Sequence, residues 1–404
     1  MVLAFLCVVA LVSYRAATRL NVPGHPDDIN WVLQDFRDAV YYPAVAFLQG
    51  KNPYDPERYM AAYPVSRPLP LYGPVNLLIH LPFGLLPFEY SELAYYAFTI
   101  LLTLALARLT LGLSGLPVSV PHTCGLAALI LLSRPGQMNL LLGQVTLQCV
   151  IATYLALHYA RPRPWLAGAG LAVCTFKPTF GLPLAVLMLC RRDHRAVTIG
   201  MTIAALLSTA VVLVLVRATG GVGAFLHAAL ATQQGFATQP FNEAVSAPFR
   251  IDAPALVQRL AGVSFGGTGK LLAALGVLSV GAVAVRRAAG SCRETPGRAL
   301  STTLVCLTVL TWTYHQAYDL LLLTLPVTAL VADQWVPQGL RQPRLRWVLV
   351  ILLGVLAVNY LASATVIEGL GLRGGWWLAA TSLNGGVLLC VFGAYVWLVL
   401  RKDE

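Results

Sequence analysis

The sequence predicts an all-α polytopic membrane protein, and its composition and its apolar runs are the observations that support this. Of the 404 residues, 57% are hydrophobic and only 11% are charged, whereas soluble proteins carry about 25% charged residues. Apolar runs such as residues 347–366 approach the roughly 20 residues that a spanning helix needs. These runs do not alternate between apolar and polar residues, so helices rather than barrel strands are expected to satisfy the backbone in lipid.

The apolar runs predict about twelve transmembrane helices in one domain covering residues 1–404. The first apolar run, about residues 2–12, has no basic residue before it and no cleavage signature after it, which favours a retained signal anchor as a first helix of about residues 2–20. Later spans are expected near residues 93–111, 118–132, 144–159, 198–216, 270–285, 299–314, 317–332, 347–366 and 376–400. Residues 166–190 form either one helix or two half-helices broken at Lys177 and Pro178. Two long loops are predicted, at about residues 21–73 and 217–268.

The net charge of +11 reflects topology rather than a polyanionic partner. Basic residues are concentrated in short connections at 191–195, 286–298 and 341–346, which marks cytoplasmic loops by the positive-inside rule. Both long loops then lie on the outer face, and no nucleic acid is expected as a partner. The eight cysteines are scattered without metal-binding spacing and are expected to be small core residues.

Residues 27–74 reverse the charge balance of the rest of the chain. They hold six of its 17 carboxylates, and a loop of this length is usually functional. Asp35 and Asp38 are three residues apart and share one face if the segment is helical, with Tyr41 and Tyr42 about one turn further on. A carboxylate beside aromatic rings at a membrane surface can act as a general base toward a sugar hydroxyl. The alternative is a solvated amphipathic helix with Arg37 as a local counter-ion.

Further candidate residues lie beside the predicted spans. Lys177 is in an apolar run before a proline, where an ammonium group either binds an anion such as a lipid phosphate or reaches toward the interface. His315 lies among tryptophan and tyrosine side chains, which suits sugar or phosphate binding but also an interfacial aromatic belt. Asn139 and Gln144 are expected either to line a cavity together with His315 or to form hydrogen bonds between helices. Arg67 and Tyr318 complete the set of candidates for substrate binding.

No motif of a soluble nucleotide-binding enzyme is present in the sequence. A doubly wound nucleotide-binding sheet has no room in this chain, so a sugar-transferring protein of this type would use a lipid-borne donor. Oxygen ligands for a divalent cation are available at Asp27, Asp28 and Asp35, but their spacing matches no defined metal-binding loop and does not imply a metal. No cofactor is required.

The order of several short motifs resembles glycosyltransferase family 87 over roughly residues 27–330. These motifs are DFRDAVYY and GKNPYD, then YGPVNLLIHLPFGLLP, GQMN, GQVTLQ, a helix ending in FKP, and WTYH before LLLLTLP. The resemblance implies a GT-C-like membrane fold and inverting transfer of a sugar, most often mannose, from a polyprenyl-phosphate donor to a lipid or glycan hydroxyl on the outer face of the plasma membrane.

The resemblance also implies roles for individual residues. One aspartate of the first loop is the base, and its distance from Gly50 fits Asp35 better than Asp38, although Asp38 stays an alternative. Lys177 and His315 become the best candidates for the donor phosphate. From a different class of protein, a transporter or a lipid-linked glycan flippase also needs charged residues in a helical bundle, but it often shows matching helix breaks in two halves. Only one such break, at Lys177 and Pro178, is evident.

Overall fold

A computed structural model describes residues 1–18, 32–69, 72–239, 242–291, 295–333 and 343–401. Asp27 and Asp28 lie outside these described residues, as do parts of the predicted cytoplasmic loops at 286–298 and 341–346. Within the described ranges the regular structure is helical. The only pairing of extended backbone in these ranges is an isolated antiparallel bridge between Arg250 and Gln316. The predicted all-α class is therefore confirmed for this part of the chain.

The described residues of the first half of the chain form thirteen α-helices and one π-helical turn. The α-helices are α1 (Val2–Ala17), α2 (Gln34–Phe36), α3 (Tyr42–Leu48), α4 (Pro56–Ala62), α5 (Val75–Ile79), α6 (Leu81–Gly84), α7 (Phe88–Leu113), α8 (Val120–Leu132), α9 (Arg134–Leu142), α10 (Thr146–Tyr159), α11 (Pro164–Cys174), α12 (Pro178–Cys190) and α13 (His194–Thr219). The π-helix, Arg37–Tyr41, joins α2 to α3.

The second half continues as helices α14 (Val222–Ala237), α15 (Ala253–Ala261), α16 (Gly267–Ser291), α17 (Thr295–Trp312), α18 (Thr324–Val331), α19 (Pro343–Val358), α20 (Ala364–Gly369) and α21 (Gly374–Leu400). A 3-10 helix, Ala317–Leu323, leads directly into α18. Residues 217–268 were predicted as a long loop, but about half of this segment belongs to α14 and α15. The first predicted loop likewise contains helices between residues 34 and 62.

Four of the described helices, α7, α13, α16 and α21, are long and apolar enough to cross a membrane. Helices α8 and α9 meet at a bend of 80° and would make a fifth span if they act together. The membrane character of the chain is thus supported, whereas the count of about twelve spans is not confirmed and stays a prediction. Residues 166–190 form two helices, α11 and α12, which are separated at the break that contains Lys177.

Small residues allow the helices of the bundle to approach closely, as is usual in membrane proteins. A Cβ atom added at Gly200 in α13 would lie 2.7 Å from the backbone oxygen of Gly168 in α11. At Gly170 in α11, an added Cβ atom would lie 2.6 Å from the backbone oxygen of Ala152 in α10. Helices α10, α11 and α13 therefore form a tightly packed group beside the helix break at Lys177.

Buried arginines attach the C-terminal helices to the rest of the bundle. Arg134, at the start of α9, donates hydrogen bonds to the backbone oxygens of Asn359 at 2.6 Å and Ala362 at 2.9 Å. Arg259 in α15 donates to the backbone oxygen of Thr381 in α21 at 2.6 Å. Because guanidinium donors satisfy carbonyls that helix ends and bends leave free, these contacts fix α9 and α15 relative to α19 and α21.

Substitution of Gly200 tests this packing. We expect Gly200→Ala to lower the apparent melting temperature of the detergent-purified protein, because the added methyl group meets a backbone oxygen and costs about 1–3 kcal/mol. The matched control is Gly276→Ala in α16, where an added Cβ atom meets no heavy atom within 4 Å and helix propensity favours alanine. Equal melting temperatures for the two variants would contradict the packing described.

Candidate functional site

The segment that carries Asp35 and Asp38 is buried in the bundle rather than lying on its surface. It begins at Leu33, whose backbone has a left-handed φ of 53°, a conformation that is unfavourable for a leucine. Phe36 is fully buried and stacks on Tyr95 of α7 with ring centroids 4.5 Å apart. Gly143 allows the turn before α10 to approach this segment, since a Cβ atom there would lie 2.6 Å from the Cβ atom of Phe36. The alternative of a solvated surface helix is therefore not supported.

Asp35 accepts hydrogen bonds from two side chains on other parts of the chain. Arg67 donates from Nη2 to Oδ1 of Asp35, and Gln144 donates from Nε2 to Oδ2. The Asp35 side chain keeps 10% of its surface exposed. It is thus held in place by a cation and an amide and still retains an accessible edge.

Asp38 is more deeply enclosed than Asp35. Its side chain has no exposed surface, and it accepts hydrogen bonds from Arg37 at 3.1 Å and from the hydroxyl of Ser66 at 2.6 Å. Arg67 lies beside it as well, with Nε 3.4 Å from Oδ2. Burial raises the pKa of Asp38 above its ordinary value, while the Arg37 cation acts in the opposite direction. Both carboxylates thus share Arg67, but only Asp35 has an accessible edge.

A second charged cluster contains Lys177, His315 and Asp319. Lys177 Nζ lies 2.6 Å from Oδ1 of Asp319, and Nδ1 of His315 lies 2.8 Å from Oδ2 of the same carboxylate. All three residues are at most 4% exposed. The Lys177 ammonium also lies 5.0 Å from the ring centroids of both Phe180 and Tyr318. Lys177 does not reach toward an interface, because this buried ion pair holds it inside the bundle.

The turn between α9 and α10 connects the two clusters. Gln144 donates to Asp35, and two residues later the hydroxyl of Thr146 donates to Asp319 at 2.7 Å. The same hydroxyl accepts a hydrogen bond from Lys177 at 3.2 Å. Since Gln144 and Thr146 are separated by a single residue, the turn joins both charged clusters into one candidate site.

The segment before α15 holds the backbone of His315 in place. The amide of Ile251 donates to the backbone oxygen of His315 at 3.0 Å, and the amide of His315 donates to Oδ2 of Asp252 at 3.3 Å. Arg250 in turn donates to both carboxylate oxygens of Asp252, at 2.7 and 3.0 Å. Residues 250–252, in the segment predicted as the second loop, thereby fix the backbone of His315 through hydrogen bonds.

The remaining predicted residues fall into two groups. Asn139 lies next to the second cluster, where its Nδ2 donates to the backbone oxygen of Tyr318 at 3.0 Å, which is the helix-to-helix hydrogen bond that was one of its two expected roles. Tyr41 and Tyr42 instead pack around Phe88, with ring centroids 5.1 and 5.8 Å away. The hydroxyl of Tyr41 donates to the backbone oxygen of Leu86 at 3.0 Å. These contacts make the two tyrosines part of the aromatic packing around α3.

Several polar atoms near the two clusters have no hydrogen-bond partner among the described residues. They are Oδ1 of Asn139, Oε1 of Gln144 and Oγ1 of Thr179, and all three are buried. Buried polar atoms in native proteins are nearly always paired, so these acceptors and this hydroxyl are candidates for contact with a bound sugar or phosphate. Among the described residues, no group of three or more His, Cys, Asp or Glu side chains could hold a metal ion.

Asp319 and Thr146 are the site residues that sequence reasoning did not identify. Asp319 lies four residues after His315 in the motif WTYHQAYD, a spacing that puts two side chains on one face of a helix. Thr146 lies in the motif GQVT immediately after Gln144. Both patterns are visible in the sequence, but neither indicates a functional residue until the fold places Lys177 beside Asp319 and Thr146.

Comparison with protein-family models gives one match. The model of glycosyltransferase family 87 matches residues 71–315, which is more than half of the chain. The matched range includes Asn139, Gln144, Lys177 and His315, whereas Asp35 and Asp38 precede it. No curated protein and no solved structure gives a significant match.

Removing the charges of the second cluster one at a time and together tests their pairing. We expect Asp319→Leu to destabilise the protein by about 3–5 kcal/mol, because it leaves a buried ammonium without its carboxylate. The double variant Lys177→Met/Asp319→Leu leaves neither charge unpaired, so its apparent melting temperature should exceed that of Asp319→Leu. If the double variant loses as much stability as Lys177→Met and Asp319→Leu lose together, the two residues are not coupled.

Proposed function

Because the chain belongs to glycosyltransferase family 87, we propose that it is an inverting enzyme that uses a polyprenyl-phosphate sugar. The sugar is mannose, as the resemblance of the sequence motifs implies, and the acceptor is a hydroxyl of a lipid or glycan. Transfer takes place at the outer face of the plasma membrane. The arginine-rich connection at 191–195 and the one at 341–346 lie on the cytoplasmic side in this topology.

One observation supports this proposal above the others: a carboxylate and a cationic cluster are connected through the turn at Gln144 and Thr146. Inverting transfer needs a base on one side of the sugar and stabilisation of a leaving group on the other. The two clusters provide these groups in a single buried region. A transporter or flippase has no comparable need for a carboxylate connected in this way to a lysine and a histidine.

In the proposed reaction Asp35 is the general base. It accepts the proton of the acceptor hydroxyl as that oxygen attacks the anomeric carbon of the donor sugar. Asp35 is favoured over Asp38 because its side chain is partly exposed, at 10%, whereas that of Asp38 is fully enclosed. Asp38 then acts through Arg67, whose guanidinium it shares with Asp35, and so positions the base.

Lys177 and His315 bind the donor phosphate in this proposal. Phosphate is already a good leaving group, so the protein needs to supply positive charge rather than a proton. Asp319 keeps Lys177 and His315 in place and shares them with the phosphate when the donor binds. The chemistry therefore requires no cofactor.

Neutral replacement of Asp35 tests the proposed base. We expect Asp35→Asn to lower kcat for sugar transfer by about 10²–10⁴-fold, the usual contribution of a general base, and Asp38→Asn to cause a smaller loss. The assay uses purified protein in proteoliposomes with a polyprenyl-phosphate-mannose donor and measures labelled acceptor.

The matched control is Asp55→Asn, a substitution of the same type in the same loop. Asp55 caps α4 through a hydrogen bond from the amide of Arg58 at 3.1 Å, a role that asparagine can fill, and this variant should keep its activity. Full activity of both Asp35→Asn and Asp38→Asn would refute the proposed base. Transfer from a soluble nucleotide sugar, with none from the lipid-linked donor, would refute the proposed donor.

A further inference from the structure

The π-helix Arg37–Tyr41 is an unusual element between α2 and α3. Its C-terminal cap is an i→i+5 hydrogen bond from the amide of Tyr42 to the backbone oxygen of Arg37. π-Helical turns are rare and occur frequently at functional sites. Asp38 lies within this turn and Asp35 lies in the short helix immediately before it, so the geometry of the turn determines how both carboxylates are directed.

Pro43 gives a physical reason for the wide turn. Proline has no amide hydrogen, and its ring clashes with the carbonyl four residues earlier in a regular α-helix. That carbonyl belongs to Ala39, and the carbonyl five residues earlier belongs to Asp38. Neither of these two backbone oxygens can therefore accept a hydrogen bond from residue 43, whichever helical spacing the chain adopts.

Side chains from other elements satisfy these two carbonyls. The hydroxyl of Tyr59 in α4 donates to the backbone oxygen of Asp38 at 2.8 Å. Nδ2 of Asn76 in α5 donates to the backbone oxygen of Ala39 at 3.1 Å. Both side chains belong to residues that are at most 2% exposed, where an unpaired carbonyl would be costly. The wide turn is thus held by two long-range hydrogen bonds.

Helix α3, which follows the turn, is fixed independently by close packing. A Cβ atom added at Gly84 in α6 would lie 3.0 Å from the Cβ atom of Ala44, so α3 has little freedom to rotate. A π turn adds one residue to a helical turn. Removing it would rotate the preceding residues by roughly 100° about the helix axis relative to α3. Asp35 and Asp38 would then no longer face Arg67 and Gln144.

We propose that Pro43, Tyr59 and Asn76 are positioning residues for the carboxylates of the first loop. Pro43 prevents a regular α-helical turn, and Tyr59 and Asn76 stabilise the wide turn that replaces it. This inference rests on the proposed function, because it assigns these residues to the alignment of Asp35 as the base. None of the three contacts the donor or the acceptor in this account.

Pro43→Ala separates positioning from stability. Alanine restores the amide hydrogen and removes the ring clash, so we expect the apparent melting temperature to stay unchanged or to rise. The turn can then shorten and misdirect the base, so kcat per folded enzyme should fall about 10-fold or more, with an unchanged KM for the polyprenyl-phosphate-mannose donor. The control is Pro56→Ala at the start of α4, where no amide hydrogen is needed, and it should keep full activity.

Tyr59→Phe tests the same inference without altering the backbone. It removes only the hydroxyl that donates to Asp38, and kcat should again fall while the donor KM is retained. The control is Tyr63→Phe, because the hydroxyl of Tyr63 donates to the exposed Oε1 of Gln49 at 2.9 Å and takes no part in the turn. If Pro43→Ala also lowers the melting temperature, its loss of activity cannot be assigned to positioning, and the kcat of Tyr59→Phe alone tests the inference.

The outcomes distinguish this inference from the proposed function. Full kcat in both Pro43→Ala and Tyr59→Phe, with Asp35→Asn inactive, would overturn the positioning role and leave the proposed base intact. Full activity of both Asp35→Asn and Asp38→Asn would instead overturn the proposed base, on which this inference rests. A loss of activity matched by a rise in donor KM would place the effect on donor binding and would also contradict the inference.

Discussion

The hydrogen bonds of the turn between α9 and α10 are the interactions on which the site depends. Gln144 holds Asp35, and Thr146 holds both Asp319 and Lys177. Because Gln144 and Thr146 are separated by a single residue, this buried turn contacts both charged clusters at once. Gly143 is required for the arrangement, since its φ of 69° is left-handed and its lack of a side chain admits the helix that carries Asp35. The backbone of this turn thereby sets the separation between the proposed base and the proposed phosphate-binding residues.

Charge pairing explains how so many ionised groups remain buried in an apolar bundle. The first cluster combines two carboxylates, Asp35 and Asp38, with the guanidinium groups of Arg37 and Arg67. In the second cluster, Asp319 is paired with Lys177 and with His315. Unpaired charges in such surroundings would cost several kcal/mol each. Donors that are already fixed before substrate binds also stabilise developing charge without reorganisation, so one network serves both folding and the proposed catalysis.

The sequence predicted the parts of this arrangement that residue type and position reveal. The helical class and the acidic first loop follow from composition, and the charge of Lys177, costly in an apolar run, marked the place where a break was one of two alternatives. Asp319 was not predicted, because an aspartate near aromatic residues at the end of a span resembles ordinary interfacial polarity until Lys177 is seen beside it. Helix α14 was also missed, since glycines and polar residues obscured its pattern. Tyr41 and Tyr42 resembled substrate-binding residues, although the structure gives them packing partners instead.

The most direct test of whether the two charged clusters form one active site is a structure of the protein with a non-transferable polyprenyl-phosphate-mannose analogue bound. We expect phosphate oxygens at hydrogen-bond distance, about 3 Å, from Lys177 or His315, and the anomeric carbon between the phosphate and Asp35. The unpaired oxygens of Asn139 and Gln144 should face the sugar. An analogue whose phosphate contacts neither Lys177 nor His315, with its sugar remote from Asp35, would contradict the assignment of the two clusters to one active site.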